Sequence, residues 1–133
     1  MDVAAALRFI HDAKEPGVLA TLQPDGRPHC SVVTGTVVGG QLWISATQSR
    51  IKTRNVRLDP RVTFTAGIRP WVAIEGTASI RDGDGVLDDL RRYYRTARGE
   101  HPDWGEYDAT MVRDGRLIIA IEPARAYGFG LGS

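Results

Sequence analysis

The spacing of hydrophobic residues changes from helical to alternating near the start of the chain. Residues 3–13 repeat apolar side chains at helical spacing behind Asp2, a residue type that caps helix N-termini, so a short amphipathic helix is predicted. From Gly17 the apolar positions alternate, which predicts a strand that ends in a turn at 24–26. The β-branched run from Pro28 to Val38 predicts one long second strand.

A hairpin and a short helix are predicted next. Gly39-Gly40 suits a two-residue hairpin turn into a strand at 41–47, which would complete a three-stranded meander. Residues 49–58 are predicted to form a helix that is capped by Ser49 and ends before Pro60. One side of this helix is predicted to carry Ile51, Asn55 and Leu58.

The second half of the chain continues with strands and small helices. Strands are predicted at 62–66 and 72–80, helices at about 85–98 and 105–113, a strand through 117–121 and a short segment at 126–129. Six to seven strands, mostly in hairpins, predict a mainly β fold, an antiparallel barrel with short helices inserted. A doubly wound sheet is not expected, because the alternation of strand and helix that it requires is missing.

Composition limits the classes of protein that fit. The 133 residues, 42% hydrophobic and 25% charged, suit one domain over 1–133. A net charge of only +1 disfavours general nucleic-acid binding. Cys30 is the only cysteine, which excludes an intrachain disulfide and a Cys-rich metal site, and no long apolar run occurs. A cytoplasmic protein without a membrane segment is therefore expected. The three histidines lack metal-ligand spacing, so no metal site is predicted.

One short segment departs from this neutral average. Residues 50–61 carry a net charge of +4, while the other 121 residues sum to −3. The segment opens a helix directly after a strand, so the free N–H groups of the first turn, Arg50 and Lys52 can converge on one anion. A solvated basic helix face is the alternative interpretation.

Trp71 is the aromatic residue best placed for a binding role. It follows Pro70 at the start of a strand, where a large planar side chain could wall a pocket. Packing in the core is the alternative for such a residue. No spacing typical of a catalytic nucleophile or metal-assisted hydrolase occurs, so no catalytic side chain is predicted.

Three stretches of the chain resemble a known family. They are GVLATLQPDGRPHCSVV at 17–33, SRIKTRNVRLDPRV at 49–62 and VAIEGTASI at 72–80. Together they are similar to the split β-barrel flavin- and deazaflavin-dependent reductases related to pyridoxamine 5′-phosphate oxidase. The similarity is greatest to the actinobacterial branch that uses coenzyme F420.

The resemblance implies a homodimer with a cofactor at each subunit interface. The cofactor-binding positions that it carries over are Ser31, Val32, Val33 and Thr34 along the ring, Ile44 and Ser45 at a strand end, Ser49, Arg50, Lys52 and Asn55 near the phosphate, and Trp71 beside the ring. Pyridoxamine-phosphate oxidases proper have an arginine where this chain has Ser31, so pyridoxamine oxidation is not expected.

The choice between F420 and FMN depends on the anion. FMN ends in one phosphate, whereas F420 continues into an acidic oligoglutamate tail, which the additional Arg54, Arg57 and Arg61 would suit. The expected function is transfer of a hydride from reduced F420 to a conjugated, electron-poor molecule of the quinone, unsaturated lactone or tetrapyrrole type. The alternatives are an FMN-dependent oxidase or reductase of the same fold and a non-catalytic cofactor-binding protein.

Overall fold

The computed structural model describes residues 1–131, and Gly132 and Ser133 of the predicted domain lie outside them. Seven strands and four helices are described in this part of the chain. The strands are β1 (Gly17–Leu22), β2 (Pro28–Val33), β3 (Gly35–Val38), β4 (Gln41–Thr47), β5 (Arg61–Gly67), β6 (Trp71–Arg81) and β7 (Arg116–Phe129). The helices are α1 (Val3–Ala13), α2 (Ile51–Leu58), α3 (Val86–Arg98) and α4 (Trp104–Arg113).

The seven strands form one antiparallel sheet in the order β2-β1-β5-β6-β7-β4-β3. Its two edge strands, β2 and β3, are consecutive in the chain and are joined by Thr34 alone. The sheet therefore has to curl until its edges meet at this residue. This is the mainly β split barrel that the sequence predicts, and the fold class is confirmed.

The prediction of one strand from Pro28 to Val38 is wrong. The chain changes partners at Thr34, since β2 pairs with β1 and β3 pairs with β4. The predicted three-stranded meander is wrong for the same reason, because β2 lies at one edge of the sheet and the β3–β4 hairpin lies at the other. The tight turn is correct: Gly39 and Gly40 have φ of 56° and 79°, the left-handed conformation that this hairpin requires.

The end of the chain is one strand rather than two segments. The strand β7 pairs with the whole length of β6, through a bulge at which Glu75 faces Arg125 and Gly76 faces Pro123. The extra residue, Ala124, lets the strand bend and continue. Pro123 gives the sequence the appearance of a break, although its position beside the bulge is compatible with continued pairing.

Helix α1 has its predicted bounds, and the Asp2 side chain caps it by accepting a 2.7 Å hydrogen bond from the Ala4 amide. Helix α2 differs from its prediction. Arg50, not Ser49, is the N-cap residue, and no side chain caps this end. The predicted apolar side is also wrong, because Ile51 and Leu58 are 49% and 73% exposed. Its buried side is Thr53, Asn55 and Val56.

The buried apolar side chains form two hydrophobic cores, one on each face of the sheet. One fills the inside of the curled sheet around Leu19, Ile44 and Phe64. The other lies between the outer face of the sheet and the pair α3 and α4, around Trp43, Leu90, Tyr107 and Ile118. None of the helices in residues 1–131 is long and apolar enough to cross a membrane.

Candidate functional site

The first turn of α2 is attached to the end of β4. The Thr53 hydroxyl donates a 2.7 Å hydrogen bond to the Thr47 carbonyl, and the Arg50 amide donates to the same oxygen at 3.3 Å. Across the sheet, Thr47 is paired with Arg116, the first residue of β7. These contacts bring the basic helix beside a further arginine from the other half of the chain.

Three cations meet at this junction, and we call Arg50, Lys52 and Arg116 the basic cluster. Burial, and then the charges of Arg50 and Arg116, lower the pKa of the Lys52 ammonium below its ordinary value. Within residues 1–131 none of the three side chains forms an ion pair. The cluster therefore has uncompensated positive charge that an anion would stabilise.

The other basic residues of this segment are differently placed. Arg57 pairs with Asp82 at 2.9 Å, and Arg61 pairs with Asp59 at 2.8 Å. Side-chain and backbone hydrogen bonds from Arg61 lower the pKa of Asp59 to about 2. Arg54 is exposed and makes no ion pair with any residue the structure describes. Two of the five basic charges predicted for an anion are thus already neutralised by carboxylates.

A cavity of about 450 Å³ opens beside the basic cluster, between the outer face of the sheet and the helices α3 and α4. We call it the tyrosine cavity; its lining includes Thr34, Ser45, Tyr93, Arg98, Tyr107 and Arg116. Its volume falls in the range of about 300–1,000 Å³ that is usual for small-molecule sites. Arg116 belongs both to this lining and to the basic cluster, so one ligand can occupy the cavity and reach the cluster.

Two tyrosine hydroxyls fix the walls of the tyrosine cavity. Tyr93 donates a 2.9 Å hydrogen bond to the Thr34 carbonyl, which ties α3 to the point where the sheet splits. Tyr107 donates a 2.8 Å hydrogen bond to the Leu90 carbonyl. Burial raises the pKa of both groups, that of Tyr107 to about 12. Both hydroxyls therefore stay protonated and serve as hydrogen-bond donors to the backbone.

The structure brings some of the predicted strand residues to this cavity and directs others elsewhere. Thr34 and Ser45 line it. The Ile44 side chain is fully buried in the barrel core, and Val33 packs against the same core. Val32 is 74% exposed on the outer face of the sheet.

Ser31 lies on the inner face of β2, with its hydroxyl oxygen buried and without a hydrogen-bond partner in the described part of the chain. A ligand or a water molecule could form a hydrogen bond with this unpaired hydroxyl.

The side chains of Val32, Val33 and Ile44 do not line the tyrosine cavity. Only their backbone groups could contact the ligand that Thr34 and Ser45 contact.

The remaining predicted residues lie in three different settings. Ser49 is exposed just before α2. Asn55 is only 4% exposed, and its amide nitrogen donates a 3.0 Å hydrogen bond to the Thr21 hydroxyl, so its polar group already has a partner in the core. Trp71 packs edge-on against Tyr127, with ring centroids 6.1 Å apart, and does not line the tyrosine cavity.

Sequence reasoning missed Arg116, Tyr93 and Tyr107. Arg116 is far from the basic helix along the chain, and only strand pairing brings it to Thr47. The two tyrosines fit the apolar spacing of α3 and α4, so the pattern indicates core packing and nothing more. No three His, Cys, Asp or Glu side chains in residues 1–131 gather in a group that could hold a metal ion.

Similarity to known proteins agrees with this architecture. A conserved hypothetical protein of Mycobacterium tuberculosis is 26% identical, with 98% of this chain and 85% of that chain covered and a TM-score of 0.78. An F420 reductase is 22% identical over 86% of this chain and 90% of that chain, with a TM-score of 0.66. The heme storage protein of Vibrio cholerae is 17% identical, covers 100% of both chains and has a TM-score of 0.73.

The last two similarities concern the fold alone, because their sequence identities are low. The family model is more specific, since it describes pyridoxamine 5′-phosphate oxidase and matches residues 3–130. Because this match includes every strand and helix of the structure, the chain belongs to the pyridoxamine 5′-phosphate oxidase family of split β-barrel proteins.

Proposed function

We propose that the protein binds the deazaflavin coenzyme F420 with its phosphate at the basic cluster, and that it reduces conjugated, electron-poor organic molecules. The observation that carries this proposal is the position of Arg116, which joins the basic cluster to the tyrosine cavity. A phosphate-bearing ring cofactor has one part for each: its phosphate is an anion that suits the basic cluster, and its planar ring suits the cavity. The family fold supports binding of a flavin-type cofactor.

The basic cluster fits the phosphate. Its three cations have no carboxylate partner among residues 1–131, and each charge-assisted hydrogen bond to a phosphate contributes about 1.5–3 kcal/mol. A bound anion would also offset the repulsion from Arg50 and Arg116, which after burial is the second cause of the lowered pKa of Lys52. We propose Ser49, Arg50, Lys52 and Arg116 as the residues that hold the phosphate. Asn55 is left out, because binding would break its buried hydrogen bond to Thr21.

The ring is proposed to lie along the split in the sheet. Thr34 and Ser45 face the tyrosine cavity there, and the backbone groups of Val32, Val33 and Ile44 follow the same strand ends. Ser31 is left out of this ring site, because its hydroxyl lies on the inner face of β2 and does not line the tyrosine cavity. Trp71 would approach a ring only from the partner subunit, because it lies on another part of the outer sheet face.

The charge around α2 favours F420 over FMN. Arg57 and Arg61 are neutralised by aspartates, but Arg54 stands one helical turn after Arg50 and has no ion-pair partner among residues 1–131. Together with the basic cluster it makes four available cations, more than one phosphate requires. The acidic tail of F420 would use the surplus.

When bound, the reduced cofactor supplies a hydride to a carbon of the acceptor and is thereby oxidised by two electrons. The protein's part is to orient the two molecules so that the reacting carbons approach to about 3–3.5 Å. Tyr93 and Tyr107 donate their hydroxyl protons to backbone carbonyls, and burial raises the pKa of both hydroxyls, so neither is a ready acid. We therefore assign the proton that completes the reduction of the acceptor to solvent.

The histidine of the tyrosine cavity is not arranged to bind heme iron there. His101 Nδ1 accepts a 2.9 Å hydrogen bond from the Asp103 amide. In a neutral imidazole the other nitrogen then carries the proton and has no lone pair free for iron. A flavin-type cofactor needs no such ligand.

A homodimer with the cofactor at the subunit interface is part of this proposal. The outer face of the sheet exposes apolar side chains where Val18 and Val32 lie side by side on β1 and β2, at 36% and 74% exposure. Tyr127 and Phe129 of β7 extend the same surface. The strand β2 is also an open edge, which a partner would cover.

Cofactor titration tests the proposal. F420 and FMN are titrated into the wild type, Lys52→Gln and Arg8→Gln, the last a control that removes one exposed charge from α1. We expect F420 to bind more tightly than FMN, with a loss of about tenfold or more for Lys52→Gln and less than twofold for Arg8→Gln. Tighter FMN binding would favour the FMN alternative.

Turnover is then measured with reduced F420 and a quinone. The quinone should oxidise reduced F420 faster in the presence of the protein than in its absence. Tight binding without faster oxidation would support a non-catalytic binding protein, and failure of both cofactors to bind would end the proposal.

A further inference from the structure

The tyrosine cavity has a second cation, Arg98, away from the basic cluster. Arg98 ends α3, whereas Arg116 begins β7, and both side chains line the cavity. Tyr93 lines the same cavity: burial raises the pKa of its hydroxyl, and the charges of Arg98 and Arg116 both oppose that rise. A phosphate held by Lys52 and Arg116 would leave Arg98 without an anion.

A smaller cavity meets the first one at Arg98. It occupies about 290 Å³ between α1, β3 and α3, and we call it the Lys14 cavity. Its polar lining is His11, Lys14, Thr34, Thr36, Thr96 and Arg98. No carboxylate is among the lining residues that the structure describes, so its charged groups are all basic. Thr34, Ala97 and Arg98 line both cavities, so the two cavities are neighbours.

The charge of Arg98 is uncompensated, unlike those of Arg91 and Arg95 on the same helix. Arg91 forms an ion pair with Asp108, and Arg95 forms one with Glu100. Within residues 1–131 neither Arg98 nor Lys14 has an ion-pair partner, and the guanidinium of Arg98 lies 6.0 Å from the centroid of the Tyr94 ring. Glu106, the one carboxylate among the described residues that line the tyrosine cavity, forms no ion pair with either residue. The place where the two cavities share Arg98 is thus one where a ligand can supply negative charge.

We propose that Arg98 and Lys14 form a subsite for the carboxylate of a planar, conjugated substrate. A guanidinium presents a flat pair of N–H donors that matches a carboxylate, and the Lys14 ammonium adds a second charge. The planar part of the substrate would lie in the tyrosine cavity. This substrate class rests on the proposed function, in which the cofactor phosphate occupies Lys52 and Arg116 and leaves Arg98 to the substrate.

His101 gives the subsite a further polar contact. Its Nδ1 accepts the Asp103 amide proton, so in the neutral ring Nε2 is a donor. The ring is held in place by packing against Tyr94, Trp104 and Tyr107, with centroids 4.9, 5.6 and 5.4 Å away. An N–H donor on a rigid cavity wall suits a carbonyl oxygen of a conjugated acceptor.

Binding of a planar acid and its neutral ester tests the subsite without turnover. Naphthoate and its methyl ester are titrated calorimetrically into the wild type, Arg98→Gln, Lys14→Gln and Lys52→Gln. Arg92→Gln is the matched control, since Arg92 lies on the same helix, is exposed and has no ion-pair partner among residues 1–131. Thermal unfolding of each variant verifies that it is folded.

We expect the wild type to bind the acid about tenfold more tightly than the ester. The preference should be lost in Arg98→Gln, reduced in Lys14→Gln, and kept in Lys52→Gln and Arg92→Gln. Equal affinity for acid and ester in the wild type, no binding of either, or a preference that survives Arg98→Gln would overturn the subsite. Loss of the preference in Lys52→Gln alone would also overturn it, since the acid would then lie at the basic cluster.

The F420 titration separates this inference from the proposed function. If F420 binds tightly and the preference for the acid is unchanged in Arg98→Gln, the carboxylate subsite is refuted and the proposed cofactor is supported. If the preference for the acid is lost in Arg98→Gln but the wild type does not bind F420, the carboxylate subsite is supported and the proposed cofactor is refuted.

Discussion

The Thr53 hydroxyl donates a 2.7 Å hydrogen bond to the Thr47 carbonyl, and this contact fixes the first turn of α2 against the end of β4. Thr53 is fully buried, so a substituted side chain there would leave the Thr47 carbonyl with little access to water. Because Lys52 precedes Thr53 and Arg116 pairs with Thr47, the same bond sets the spacing of the basic cluster.

Substitution of Thr53 should therefore affect both stability and anion binding. Thr53→Val keeps the shape but removes the donor, and we expect it to lower the free energy of unfolding by about 1 kcal/mol. Affinity for F420 should fall with it, because Lys52 loses its fixed position. Thr53→Ser retains the hydroxyl and should retain most of both quantities. Chemical denaturation and cofactor titration measure them, and normal binding by Thr53→Val would refute the link.

The hydrogen bond between Asn55 and Thr21 should contribute to the stability of the fold. Asn55→Ala removes the donor of a buried hydrogen bond, so a loss of about 1–3 kcal/mol in the free energy of unfolding is expected. Thr21→Val should be less harmful in the Asn55→Ala background than in the wild type, because the two side chains are coupled. A double-mutant cycle by denaturation measures this coupling. Additive effects would mean that the hydrogen bond contributes little.

Anion binding should weaken at alkaline pH. Burial and the charges of Arg50 and Arg116 lower the pKa of Lys52 from its ordinary 10.5, so the ammonium loses its proton at a lower pH than an exposed lysine does. Affinity for F420 or inorganic phosphate should fall as the pH rises toward that lowered pKa. In Lys52→Arg the decline should disappear below pH 10.5, because a guanidinium stays protonated there. An identical pH profile for the two proteins would count against Lys52 as the phosphate ligand.

Stability should also fall in strong alkali, for a different reason. Burial raises the pKa of Tyr107 from 10 to about 12, which means that the fold favours the neutral phenol. Its contribution to stability is fully present below pH 10 and is lost as the pH rises through about 12. Tyr107→Phe should show a shallower loss of unfolding free energy over this interval, although it is less stable at neutral pH because the Leu90 carbonyl loses its donor. Denaturation at a series of pH values measures both effects.

A charge on the exposed apolar surface should separate the proposed dimer. Val32→Asp places a carboxylate on the edge strand at a position that is 74% exposed, so the monomer should fold as before. Analytical ultracentrifugation should show a dimer for the wild type and a monomer for the variant. Ile68→Asp is a useful control, because Ile68 is 92% exposed in the loop between β5 and β6. A wild-type monomer at micromolar concentration would contradict the dimer.

Local patterns were sufficient where neighbouring residues decide the structure. Helix α1 and its Asp2 cap, the Gly39-Gly40 turn and the mainly β class were predicted correctly, because each depends on contacts within a few residues. The presence of helix α2 was predicted correctly, but the side of the helix that is buried was not. Thr53 and Asn55 are polar, and only their partners Thr47 and Thr21 make burial of that side favourable.

Local sequence was enough to establish the type of each element, the excess of positive charge in one segment and the resemblance to a family, which the match over residues 3–130 confirms. Three features depend on the folded arrangement: the sheet splits at Thr34, Arg57 and Arg61 are neutralised, and Arg116 completes the basic cluster. The physical reason is that strand pairing and ion pairing join residues far apart in the chain. Composition and spacing record which groups are available, whereas folding decides which of them meet.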